Sequence, residues 1–168
     1  MKFKIDRKKR IAIAFSCLFG GVISGITLAQ EATNSHAYSA KGETTIETIN
    51  GLRVITLRDN VFVSQGDIEL TGDIAVLEYN QSNQLQQVRV TGTPANFEQQ
   101  ASASTDIVTG NSEIINYYAS TEGVVEFIGS ANFNQPGTTL SCAQIRHTIT
   151  TGATSGQACS GSLSPQNN

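Results

Sequence analysis

The chain has 168 residues with 11 basic and 14 acidic side chains, three Cys, three Pro and no Trp, for a formal net charge of −3. Six of the basic residues fall in the first ten positions beside Asp6, leaving 5 basic and 13 acidic residues from position 30 onward, about −8. So acidic a body excludes nucleic acid and anionic membrane surfaces as partners, and its 139 residues suffice for one domain with a core of its own.

The basic opening MKFKIDRKKR leads into an uncharged, apolar stretch from Ile11 to Ala29. This is the layout of a secretory signal, with Thr27-Leu28-Ala29 offering small residues for cleavage after Ala29. Residues 1–29 are therefore expected to leave on export. The alternative is an uncleaved anchor, because 19 uncharged residues approach the roughly 20 that cross a bilayer. A lipid attachment at Cys17 is not expected, since few apolar residues precede it. Residues 30–41 carry no periodicity and read as a flexible mature terminus.

From Gly42 strand signals follow one another to about residue 150. Ile46 and Ile49 face Leu52 and Val54 across Asn50-Gly51, a strong hairpin dipeptide. The organising stretch is ITLRDNVFVSQGDIEL, residues 55–70. Ile55 and Leu57 alternate with Thr56 and Arg58, Asp59-Asn60 supplies turn chemistry, and Val61 and Val63 alternate with Phe62 and Ser64 before Gln65-Gly66-Asp67 turns the chain again. Gly72-Asp73 opens a further strand whose Ala75-Leu77-Tyr79 face is the interior one, Glu78 preferring water.

The design recurs twice. Val88 and Val90 lead through Thr91-Gly92 to Ala95 and Phe97, and Val125 and Phe127 lead through Gly129 to Ala131 and Phe133. Val61, Ala95 and Ala131 share a column, as do Val63, Phe97 and Phe133 and then Gln65, Gln99 and Gln135, at offsets of 34 and 36 residues. Arg58, Arg89 and Glu126 fall on the opposite face. The chain reads as a repeat of strand units. The strand after each copy places Ile114 and Tyr118 opposite Glu113, and Ile145, His147 and Ile149 opposite Arg146. Polar connections separate the units at 80–83 and 119–123. The tail 151–168 is Gly- and Ser-rich and reads as disordered beyond the reach of Cys159.

Chemistry-bearing motifs are absent: no HExxH, GxSxG, CxxC or phosphate loop occurs, and only His36 and His147 are available. No enzyme activity, cofactor or metal is expected. His147 reads as an interior histidine rather than a ligand beside Cys142, and Asp67, Glu69 and Asp73 as a solvated turn rather than a calcium loop. In an oxidising compartment Cys142 and Cys159 pair most simply with each other, two free thiols being the alternative.

Asp59-Asn60-Val61, the Gln two residues past the second apolar position, and Gly72-Asp73 before Ala75 and Tyr79 together resemble the OstA-like family over residues 40–150. The resemblance implies an all-β fold, a single twisted antiparallel sheet folded into a V-shaped or jelly-roll groove spanning 42–150. It implies further that the groove shields the lipid A acyl chains of lipopolysaccharide. The partners it implies are inner-membrane-anchored and outer-membrane OstA-like transport proteins, joined head to tail, with a homo-oligomer of the same geometry. The expected lining is Ile55, Leu57, Val61, Val63, Leu77, Val88, Val90, Phe97, Ile114, Tyr118, Val125, Phe127, Phe133 and Ile145. Alternating small and large side chains, Ala95 and Ala131 beside Phe97 and Phe133, permit an unfilled slot without requiring one. Lys41, Arg53 and Arg58 are candidates to meet lipid phosphates. Two rivals remain: a relative in the same pathway anchored by residues 11–29, and a secreted β-solenoid adhesion or structural module with a dry core.

Overall fold

The computed structural model describes residues 36–100 and 106–164. The expected signal segment lies outside them. No helix occurs among the described residues, which form one open antiparallel sheet in the order β1-β3-β4-β5-β6-β7-β8-β10, with β2 also on β3 and β9 also on β8. The strands are β1 (His36–Ser39), β2 (Thr44–Ile49), β3 (Leu52–Gln65), β4 (Ile68–Tyr79), β5 (Leu85–Gln100), β6 (Ile107–Tyr118), β7 (Val124–Gln135), β8 (Thr138–Thr148), β9 (Thr154–Gln157) and β10 (Ser160–Leu163). The all-β, single-sheet expectation holds.

Most of the dipeptides read as turns do not turn the chain. Asp59-Asn60, with φ of 66° and 47°, sits inside the single 14-residue strand β3, where the pairing register shifts between Arg58 and Val61. The same residue types that reverse a hairpin can hold the left-handed backbone of a bulge, so composition alone did not separate the two. Register shifts recur at Thr71/Ile74, Thr91/Ala95, Asn111/Ile114 and Ile128/Ala131. Asn50-Gly51, by contrast, is a true two-residue hairpin, both residues at positive φ.

These bulges line up across the sheet and crease it. One leaf holds 52–58, 74–79, 85–91, 114–118, 124–128 and 144–148; the other holds 61–65, 68–71, 95–100, 107–111, 131–135 and 138–142. Even the edges obey the crease: β2 pairs with the first half of β3 and β1 with the second, while β9 and β10 divide β8 in the same way. The carbonyls freed at the bulges find partners. Ser112 Oγ donates to the Ile114 carbonyl at 2.7 Å, Asn132 Nδ2 to that of Ser130 at 3.2 Å and Asn96 Nδ2 to that of Pro94 at 3.4 Å.

The sheet extends past the expected 42–150 span at both ends. Within the tail 151–168, expected to be disordered beyond the reach of Cys159, the segment 154–163 forms two short strands on β8. Its Gly and Ser residues carry little strand propensity; backbone pairing to β8 and the Cys142–Cys159 disulfide place it.

Candidate functional site

The two leaves face each other and enclose one apolar interior. Each row across the sheet contributes matched side chains: Leu77, Val88, Tyr117, Val125 and His147 lie in register in one leaf, as do Val63, Leu70, Phe97, Gly110, Phe133 and Leu140 in the other. Twelve of the fourteen expected lining residues are buried there; Ile114 and Tyr118 are not. Ile114 pairs with Thr91 and Ile128 on the outer face, and the Tyr118 hydroxyl donates to Glu126 Oε2 at 3.2 Å on that same face. The extra residue in the Asn111/Ile114 bulge reverses the parity of β6, so Ile115 and Tyr117 take the inner positions.

Sequence reasoning also passed over Ile68, Leu70 and Leu85, all buried in the same cluster. Ile68 and Leu70 flank Glu69 in strict alternation directly after the Gly66-Asp67 turn, a signal the sequence contains.

The interior is filled rather than slotted. Leu57, Ala75, Leu77, Val88, Val90, Ile115, Val125, Phe127 and Ile145 have no accessible surface. The slot that Ala95 and Ala131 permitted without requiring is not seen: both are buried, and aromatic rings bridge the leaves. Phe127 stands edge-on to Phe97 at 5.6 Å and to Phe133 at 5.8 Å; Phe133 meets the His147 ring at 4.9 Å, and His36 meets Tyr79 at 5.7 Å. All four contacts join one leaf to the other. Gly110 completes the seam, since a Cβ on it would collide with the Phe127 ring. Each edge-to-face pair adds about 0.5–1.5 kcal/mol beyond area burial.

His147 is an interior residue, as expected, with Nδ1 at 2.9 Å from Thr154 Oγ1 and a pKa lowered by burial. Among the described residues, no group of three or more metal-ligating side chains forms. The outer face is polar. Arg146 pairs with Glu126, Arg89 Nη1 donates to Asn116 Oδ1 at 3.3 Å, and Asn111, Asn132 and Ser141 bond in a ladder. Of the basic residues proposed for phosphates, Lys41 and Arg58 lie along the crease, where the Lys41 amide donates to the Asp59 carbonyl. Arg53 is opposite Tyr79 on the inner-facing row.

Both edges leave inward-facing apolar groups uncovered. At the β1–β2 edge Ile46, in register with buried Ile55, is 61% exposed; at the other, Leu163 on β10 is 82% exposed.

The described residues form an open sheet doubled over one apolar interior. Residues 43–153, more than half of the chain, match the family described as LptA/(LptD N-terminal domain) LPS transport protein. The chain belongs to that family. No curated protein matches it. Among solved structures it is similar to LptH from Pseudomonas aeruginosa, described as the LptA homologous periplasmic component of the conserved lipopolysaccharide transport device. That match has a TM-score of 0.69 and 22% identity, covering 79% of this chain and 96% of the other, and at that identity it shows the fold.

Proposed function

We propose that this chain is a periplasmic carrier of lipopolysaccharide, holding lipid A acyl chains between its two leaves and joining like domains head to tail between the two membranes. The observation that carries the reading is the unbroken apolar interior, running the full width of the sheet and ending at both edges in exposed inward-facing apolar side chains. Membership of a lipopolysaccharide transport family supports it.

Because the interior is filled, loading exchanges protein contacts for acyl contacts. The aromatic seam must part and the leaves spread about the crease. Burying roughly twelve methylenes at ~0.8 kcal/mol each contributes on the order of 10 kcal/mol, enough to offset several edge-to-face ring contacts. Exposed ion pairs such as Arg146–Glu126 contribute about 0.2–1 kcal/mol and do not decide the outcome.

A photo-crosslinking residue at Phe97 or Ile115 is expected to capture lipopolysaccharide, whereas one at Ile114, Arg89 or Glu126 is not. Equal capture at all five positions would count against binding between the leaves. Sequencing the N-terminus of the exported protein distinguishes a free carrier, beginning near Gln30, from an anchored one.

A further inference from the structure

Opposite the crease, the free margins of the two leaves face each other across a mouth. Two adjoining clefts of about 340 and 430 Å³ lie there and share Gln65 and Ala119. The smaller is ringed by amides and imidazole, from His36, Gln65, Asn83, Gln84 and Gln86, around the apolar Leu85. The larger continues past Ile68 and Tyr117 to the 119–123 loop. Each cleft thus opens onto side chains of the apolar interior.

His36 and Gln65 are directly opposite each other on β1 and β3, in an inward-facing row. His36 Nδ1 and Gln65 Oε1 are closed off from solvent, and neither has a hydrogen-bond partner among the described residues. A buried polar atom without a partner is costly, and two on one cross-strand pair beside an apolar interior are groups a ligand can satisfy when the leaf margins part to admit it. The imidazole packs against the Tyr79 ring of the facing leaf.

Charge narrows the ligand. Among the described residues neither cleft is lined by Lys or Arg, and the larger carries Glu122. A phosphate finds no counter-charge here. An uncharged group that both donates and accepts, a hydroxyl or an amide, can serve the glutamine oxygen as donor and the imidazole nitrogen in either tautomer.

We propose that this margin cleft is a subsite for the uncharged polar shoulder of a glycolipid, a hydroxyl or amide next to its acyl chains, held by His36 and Gln65 at the entrance to the apolar interior. The assignment rests on the carrier reading and says where the headgroup leaves the sheet.

The test compares the exported wild-type chain with Gln65→Leu and His36→Phe in calorimetric titrations with purified lipopolysaccharide, 3-hydroxymyristic acid and myristic acid. Each variant should bind lipopolysaccharide at least tenfold more weakly, bind myristic acid as the wild type does, and melt no lower, because an orphaned polar group has been removed. Weakened binding of 3-hydroxymyristic acid would place the contact on a chain hydroxyl; unchanged binding would place it on the sugar. Unaltered lipopolysaccharide affinity, or equal losses for lipopolysaccharide and myristic acid, overturns the subsite alone. A wild type that binds none of the three overturns the carrier reading and the subsite with it. Gln65→Met, which keeps side-chain length, repeats the comparison should Gln65→Leu melt lower.

Discussion

At the scale of single residues, His147 gives this interior a pH dependence. Its ring is buried against Phe133 and hydrogen-bonded to Thr154, and burial lowers its pKa from the usual value near 6.5. The unfolded chain therefore takes up the proton first as pH falls. The stability tied to a neutral His147 is complete above about 6.5 and is lost as pH drops through that value toward the folded pKa. Thermal melts at pH 7.5 and 5.0 should show a larger fall in Tm for the wild type than for His147→Gln; equal falls would remove the histidine from the account. Residue identity also set what could be read in advance. The columns Val61/Ala95/Ala131 and Val63/Phe97/Phe133 are all buried on the inner face because alternation holds within each half-strand. Ile114 and Tyr118 were misplaced because alternation was carried through an inserted residue that no propensity announces.

At the scale of elements, the edges of the sheet are held by different means. β9 and β10 are four residues each, exposed almost throughout, and bring no buried apolar side chain to β8. Their backbone pairs alone would be marginal. The Cys142–Cys159 bridge, with a sequence separation of 17, ties the break between them to the buried side of β8. By loop entropy such a closure is worth about 3 kcal/mol. Reduction should thus leave the sheet from β3 to β7 intact while residues 154–163 lose protection, which hydrogen exchange before and after a thiol reductant will show. Loss of protection throughout, or nowhere, would contradict this division of labour. Strand existence and the Asn50-Gly51 hairpin were plain in the sequence, but strand length was not. Asn, Asp and Gly at positive φ punctuate both hairpins and bulges, and only partner strands decide which.

At the scale of the whole molecule, the sheet has no further strand on either edge among the described residues, and the proposed head-to-tail joining would have another copy continue it there. Ile46 is the test position, exposed at the β1–β2 edge yet in register with buried Ile55. Ile46→Glu should leave Tm nearly unchanged, within about 0.5 kcal/mol of stability, and abolish concentration-dependent association in sedimentation velocity. A variant that associates as the wild type does would argue against joining through this edge. The fold class and the greater part of the buried face were legible because they depend on periodicity. The packed state of the interior was not, because ring contacts between the leaves depend on how sharply the crease bends.

That crease has an architectural consequence. Since every long strand crosses it once, each strand supplies a slice of both walls, and cross-section and reach are set by separate features. The inserted residues determine how the two walls meet, while the count of hairpins determines how far the apolar interior extends along the sheet. A gene duplication that added one more hairpin would lengthen that interior by one step without altering its cross-section.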